Sequence, residues 1–345
     1  MKELLKELCC AFGPSGFEGA VRKIVERELS ENKIENSELM TDNLGGIYLH
    51  IKNEGAPRLV INAHLDEVGF MVTEITERGT LKFGNVGGID PIVLSAKRVV
   101  SERGVKGVIA SKPIHLLSAD ERKVRTEIAD MYIDIGAPDK KTALTLTDIG
   151  EYFVFDSDFV ELGPDKIKAK ALDDRHGVCA MLSVIRSLSK SGKRSPYDLY
   201  FAFTTREEVG FSSASCAAEL IKPDYAIVIE SKAVLDLPNI GEDKSVGTVG
   251  GGGLISYADR GAIMDRALTE RLIAVCEKND IKYQINRAVT GGNDSSTLQR
   301  GALGTKVALI SAPSRYIHSS ANVISYSDFE CICQAIGAFV TEEIK

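Results

Sequence analysis

One stretch limits what this chain can fold into more than any other. Residues 198–205, Asp198-Leu199-Tyr200-Phe201-Ala202-Phe203-Thr204-Thr205, are aromatic and apolar enough to form a buried strand. Arg206-Glu207-Glu208 ends the run, and Val209-Gly210 turns the chain away. Such a strand belongs in an open α/β sheet, where ligands bind in the crevice beyond the carboxyl ends of the strands. Two adjacent acids there are costly to desolvate unless something compensates them. A divalent cation would compensate one. The other would be free for proton work, because neighbouring side chains on an extended segment point different ways. By itself a Glu-Glu pair reads more simply as a solvated strand end. The rest of the chain therefore has to supply further ligands.

At 345 residues the chain is long for one core, which favours two domains. Its 44% hydrophobic and 26% charged content is that of an ordinary globular protein. The net charge is -7 without a long basic run, which argues against nucleic acid as a partner. Seven scattered cysteines include no C-x-x-C pair, so free thiols in a reducing compartment are expected. The first residues, Met1-Lys2-Glu3-Leu4-Leu5-Lys6-Glu7, are charged and periodic rather than a signal peptide. No run reaches the roughly 18 apolar residues that span a membrane. The expectation is a soluble cytoplasmic protein with no membrane partner.

Leu4, Leu5 and Leu8 mark a helix over 2–12, broken by Gly13-Pro14-Ser15-Gly16. A second helix is predicted over 18–29, then strands over 46–51 and 58–63. The latter runs into His64-Leu65-Asp66-Glu67. A metal-binding imidazole usually donates its second N–H to a carboxylate, and His64-x-Asp66 fits that pattern. A hydrogen-bonded structural histidine fits it equally well. From about residue 70 to 168 helical periodicity nearly disappears. Short strands are predicted at 70–75, 80–83, 97–100, 107–111, 131–135 and 152–155, separated by turn signals, which suggests an all-β barrel or sandwich. The charged stretch 118–127 reads as a loop or a short helix. The fold class is therefore α/β, a mixed-sheet domain with an inserted all-β domain. Its expected divisions are 1–68, 69–165 and 166–345.

The α/β texture resumes at Ala171-Leu172-Asp173-Asp174-Arg175-His176-Gly177, ahead of an amphipathic helix over 178–188. Each aspartate alone would pass as a helix N-cap. The next strand, 224–229, also ends in an acid, Glu230. Gly250-Gly251-Gly252-Gly253 precedes a strand and lacks a following Gly-Lys-Ser/Thr, so it is no phosphate loop; close backbone approach explains it better. A strand over 306–310 leads to the loop that carries Arg315-Tyr316-Ile317-His318. His64, Asp173, Glu208, Glu230 and His318 thus all lie at strand ends or in the loops beyond. Two imidazoles and three carboxylates suit zinc or a similar ion, and the set is large enough for two. Arg260 and Arg315 are either receptors for an acidic substrate side chain or structural. His176 lies on the first turn behind the aspartates and is a weaker candidate.

Four motifs occur in order: Ala63-His64-Leu65-Asp66-Glu67-Val68-Gly69-Phe70, Ala171-Leu172-Asp173-Asp174-Arg175, Thr205-Arg206-Glu207-Glu208-Val209-Gly210 and Arg315-Tyr316-Ile317-His318-Ser319. Together they resemble the M42 family of di-metal aminopeptidases, the family of the tetrahedral (TET) peptidases. The resemblance runs nearly end to end. It implies that His64 binds one metal and Asp66 orients it, that Asp173 bridges two ions across a cis Asp173–Asp174 bond, and that His318 binds the other metal. It makes Glu207 the general base, Glu208 a ligand, and Glu230 the fifth ligand, where many relatives have Asp. Asn293-Asp294 stands where relatives often have Thr-Asp. The activity implied is metal-dependent removal of N-terminal residues from short peptides by a water activated between two divalent ions, zinc or cobalt. The inserted domain resembles one through which relatives build dimers to dodecamers. The rival readings are a related di-metal amidohydrolase acting on N-acyl amino acids or other amides, and a non-catalytic metal-binding scaffold. Two close carboxylates also suit a glycosidase, but that chemistry has no need of His64 or His318.

Overall fold

The computed structural model describes residues 1–120, 123–210, 212–238, 246–301 and 303–342. Two helices, α1 (Lys2–Cys10) and α2 (Gly19–Glu31), precede the strands β1 (Ser37–Thr41), β2 (Ile47–Ile51) and β3 (Arg58–His64). The chain then enters β4 (Gly69–Ile75), β5 (Leu81–Val86), β6 (Arg98–Ser101), β7 (Lys106–Ala110) and β8 (Tyr132–Asp134). It continues through helix α3 (Lys140–Leu146) to β9 (Tyr152–Phe155). These six strands close a barrel in the order β4-β5-β8-β7-β6-β9. They coincide with the six short strands expected between 70 and 155. The helix α3 is not among the expected elements; Asp139 caps it by accepting the Thr142 N–H at 2.8 Å. Of the charged stretch 118–127, residues 121 and 122 lie outside the described residues.

After β10 (Val160–Leu162) and β11 (Lys166–Ala169) come α4 (Leu172–Ser191), β12 (Asp198–Thr204), α5 (Ala214–Ile221), β13 (Tyr225–Ala233) and β14 (Gly253–Ser256). They are followed by α6 (Arg266–Lys278), β15 (Tyr283–Ile285), α7 (Asp294–Gln299), β16 (Lys306–Ser314), β17 (Asn322–Ser325) and α8 (Tyr326–Phe339). The main sheet has eight strands in the order β1-β2-β12-β3-β13-β16-β14-β15. Its centre, β12-β3-β13-β16, is parallel throughout, and the flanking pairs β2–β12 and β16–β14 are antiparallel. A small sheet, β10-β11-β17, lies apart from it. The sheet is therefore mixed, as expected for the α/β class.

Every residue of β12 is buried because helices cover both faces of the sheet. Along β3, Leu59 and Ile61 point to one face, where they join side chains of α1, α2, α4, α6 and α8; Val60 points to the other, with Ala214, Ala217 and Leu298. That alternation is the two-residue period of a strand. Three of the four glycines, Gly251, Gly252 and Gly253, do approach neighbouring strands. Gly252, at φ +94°, leaves no room for a Cβ against the backbone of Lys282 and Tyr283, and the N–H groups of Gly250 and Gly252 donate to the Asp328 carboxylate at 2.7 and 2.6 Å. Among the described residues no helix is long and apolar enough to cross a membrane.

Candidate active site

The parallel centre of the sheet delivers its strand ends to one edge. His64 is the last residue of β3, and β12 ends beside it at Thr204 in register. Arg206 then takes a left-handed conformation at φ 63°, and Glu207–Val209 forms one tight turn closed by Gly210 at φ 74°. That reversal folds both glutamates back over the sheet edge. Glu230 lies within β13, Asp173 at the kinked start of α4, and His318 in the loop after β16. The Asp173–Asp174 peptide is cis.

These residues converge. His64 Nε2 lies 3.4 Å from Asp173 Oδ1 and 3.6 Å from Glu230 Oε1. His318 Nε2 lies 3.2 Å from Asp173 Oδ2 and 3.1 Å from Glu208 Oε2. Asp173 thus turns one oxygen to each imidazole. An acceptor sits on the far side of each ring: the Gly88 carbonyl accepts from His318 Nδ1 at 2.6 Å, and Asp66 Oδ1 lies 3.3 Å from His64 Nδ1 without a hydrogen bond between them. Donation from Nδ1 leaves Nε2 of His318 free to act as a ligand, and His64 Nε2 faces the acids in the same way. Asp66 also accepts the N–H groups of Glu207 and Glu208 at 3.1 and 3.2 Å and the Ser15 hydroxyl at 2.6 Å. One buried carboxylate therefore sits behind the histidine and anchors the glutamate turn.

The electrostatics are those of a cation site. Burial raises Glu207 well above the usual carboxylate range, and the charges of Glu230, Asp294 and Glu208 add to this. Burial likewise lifts Glu208 and Glu230, each to about 8, with Asp173 adding repulsion. Burial pulls both imidazoles down. The surrounding acids outweigh it, raising His64 well above its ordinary value and His318 to about 10. Both ring nitrogens of His64 and the Asp173 Oδ1 are buried without hydrogen-bond partners. Orphaned buried polar atoms of this kind are uncommon in folded proteins and costly. A divalent cation satisfies such atoms and neutralises the acids, so the residues present fit one. Among the described residues two compact trios of ligand atoms exist, His64-Asp174-Glu230 and His64-Asp173-Glu208. Of these aspartates, Asp173 faces both rings. Asp174 accepts the Gly177 N–H at 3.1 Å and lies 3.3 Å from His176 Nε2, and burial raises it well above the carboxylate range.

Five of the acids and imidazoles singled out in the sequence thus meet in one cluster, with Asp66 and Glu207 against it. His176 is fully buried behind Asp174, and burial lowers it to about 4, so it is neutral. Arg260 and Arg315, open between substrate receptors and structural residues, do not line the cleft. The Arg315 guanidinium is held at both ends by Asp236, at 2.6 and 2.7 Å, and Arg260 is exposed. Lys232 and Arg300 line the cleft instead, which has a volume of about 680 Å³. Lys232 was legible in principle: it follows Glu230 by two on a strand, so the two side chains share a face. Ser15 and Gly88 carried no local signal.

Residues 45–334 match the profile of the M42 glutamyl aminopeptidase family. The chain belongs to the M42 peptidase family. FrvX of Escherichia coli (strain K12) is 33% identical, over 98% of this chain and 94% of its own. A TET aminopeptidase from the marine sediment archaeon Thaumarchaeota archaeon SCGC AB-539-E09 is 34% identical, with a TM-score of 0.94 over 99% of this chain and 96% of its own. The Pyrococcus horikoshii TET1 peptidase, described as assembling into a tetrahedron or a large octahedral shell, is 34% identical, with a TM-score of 0.86 over 99% of both chains. As an M42 protein the chain is an enzyme, a peptide hydrolase of the aminopeptidase type. The divalent metal that the family implies suits the cluster described above.

Proposed function

We propose that this M42 peptidase removes the first residue of short peptides and works with two divalent cations, zinc or cobalt. The observation that carries this reading is the double facing of Asp173, with Oδ1 toward His64 and Oδ2 toward His318. His64, Glu230 and Asp173 would hold one ion; His318, Glu208 and Asp173 would hold the other. Ions bound there would polarise the scissile carbonyl and acidify a water. Glu207 is the general base: it takes the proton of the attacking water and returns it to the leaving amine. Its burial among other acids strengthens its hold on that proton between the two transfers. Asp66 keeps Glu207 in position through the backbone N–H that it accepts. The acid-rich end of the cleft suits the positive α-amine of a free N-terminus.

The division 1–68, 69–165 and 166–345 belongs to the same proposal, with the middle segment as the self-association domain of a homo-oligomer. Exposed apolar side chains on the barrel segment, Ile92 at 75% and Val108 at 43% accessibility, support it. All seven cysteines are unpaired, which supports a cytoplasmic location. Chelation followed by reloading with single metals tests the central claim. Hydrolysis of aminoacyl p-nitroanilides should vanish and return, with two ions per chain by elemental analysis. N-acetylated peptides should remain uncut, and equal turnover of acetylated and free peptides would refute the exopeptidase reading.

A further inference from the structure

Residues 8–18, which run from the end of α1 toward α2, take no part in the proposed chemistry, yet they are tied to the end of β3 at several points. Pro14 pairs with Glu67 in an isolated parallel bridge. The Glu67 N–H donates to the Gly13 carbonyl at 3.0 Å and the Ser15 N–H to the Glu67 carbonyl at 3.3 Å. Two buried cations fasten the same segment. The Arg175 guanidinium donates to the Leu8 and Gly13 carbonyls at 2.6 and 3.1 Å. The Lys170 ammonium donates to the Ala11 carbonyl at 2.9 Å and to the Glu67 carboxylate at 2.6 Å. On the barrel side Phe17 packs on Tyr152 of β9, with ring centres 5.7 Å apart. These ties set Ser15, only 4% exposed, beside Asp66, which is fully buried. The Ser15 hydroxyl donates to Asp66 Oδ2 at 2.6 Å.

We propose that Ser15 is a positioning residue for the catalytic turn: its hydroxyl fixes the Asp66 carboxylate, and Asp66 in turn fixes the backbone of Glu207 and Glu208. The assignment rests on the aminopeptidase reading above for the role of Glu207. The same Oδ2 accepts the Glu208 N–H, and Oδ1 accepts the Glu207 N–H. Both of those donors belong to one short turn. The outer torsion of an aspartate is soft, so two N–H groups from a single turn leave the carboxylate free to swing with that turn. The Ser15 hydroxyl ties it to a different element, one that Arg175 and Lys170 already hold. Without the hydroxyl, a fully buried carboxylate loses a partner and has reason to move. A general base works only within hydrogen-bond reach of the proton it takes, so a shift of the turn is felt at Glu207. A residue 51 positions before Asp66 thereby belongs to the working site.

Ser15→Ala, loaded with metal, should lose about 10- to 100-fold in kcat on an aminoacyl p-nitroanilide, the scale of removing an outer partner of a metal site. KM should stay nearly unchanged. Ser15→Thr, which keeps the hydroxyl, should recover most of the turnover. Phe17→Leu disturbs the packing of the same segment without touching Asp66, and it should keep the original kcat. Hydrogen exchange on the metal-free protein gives a readout apart from activity. In Ser15→Ala the amides of Glu207 and Glu208 should exchange faster, while those of β12, such as Phe201, stay protected. Faster exchange shared by the turn and β12 would mean general loosening and overturn the assignment. Unchanged exchange at both glutamates would overturn it as well. So would a loss confined to KM, a Thr variant as slow as the Ala one, or a Phe17→Leu loss equal to that of Ser15→Ala. If Ser15→Ala does not fold, Ser15→Cys, which keeps the volume and donates only weakly, is held to the same outcomes. If the unmodified protein cleaves no free-amine substrate, the aminopeptidase reading fails, and exchange at the two glutamate amides still decides whether Ser15 holds the turn.

Discussion

The main sheet and the barrel are built from strands of opposite character. β12 is buried along its whole length, whereas β7 alternates exposed and buried residues. Covered on both faces, the parallel strands lead to one edge, where the chain sets His64 at the end of β3, Glu207 and Glu208 in the turn after β12, and Glu230 within β13. The barrel has no free hydrogen-bonding edge because it closes on itself. Its interior is packed with aromatics, Phe70 lying edge-on to Phe83 and Phe155 at 5.3 and 5.2 Å. It meets the site through the Gly88 carbonyl, which orients His318. Chemistry has collected where a parallel sheet ends, and apolar surface has collected on the closed barrel.

That contrast can be broken at several points. The largest expected effect is at the base. Glu207→Gln should lower turnover by about 10²–10⁴-fold, while elemental analysis finds the metals retained. Loss of metal in this variant would make Glu207 a ligand. Glu208→Gln comes next. It should lose the ion on the His318 side, and excess metal should restore part of its activity; a variant that keeps both ions would reverse the two roles.

A smaller effect concerns protons. Without metal, Glu208 and Glu230 titrate near 8 and His318 near 10, all above their ordinary values. Groups raised by folding stabilise the fold fully below their ordinary values and lose that contribution as pH climbs through the raised ones. The metal-free protein should therefore lose stability between about pH 5 and 10, and the gain in Tm on metal loading should grow over that window. Calorimetry in buffers of different ionisation enthalpy should detect proton release on loading, and metal affinity that falls as pH rises would contradict this. The smallest effect belongs to the barrel. Val108→Asp should leave folding stability within about 0.5 kcal/mol and reduce the particle mass in light scattering. An unchanged mass would remove Val108 from the interface.

The site was legible to the extent that its residues sit at strand ends. His64, Glu208 and Glu230 could be read there because a buried apolar run that stops at an acid or imidazole is a local pattern. Asp173 and His318 entered through the loops beyond, and the six barrel strands through their turn signals. α3 went unread because a seven-residue helix with one fully buried side chain, Ala143, carries almost no periodicity. β1 went unread for a similar reason, as an edge strand with no fully buried residue.

The sequence by itself determined the class of fold, the barrel strands and the inventory of candidate acids and imidazoles, because strand periodicity and strand-end chemistry are encoded within a few residues. Only the tertiary structure decided which atoms meet. Asp173 faces His318 across 145 positions of sequence and meets His64 from the other side, and no local pattern encodes such a pairing. The same holds for the cations. Arg315 stands in the same motif as His318, yet its charge is consumed by Asp236 from 79 residues away. Lys232 reaches the cleft because β13 runs parallel between β3 and β16 and carries the face of Glu230 two residues further. Burial and partner geometry decide whether a charge is available to a substrate, and both come from contacts distant in sequence.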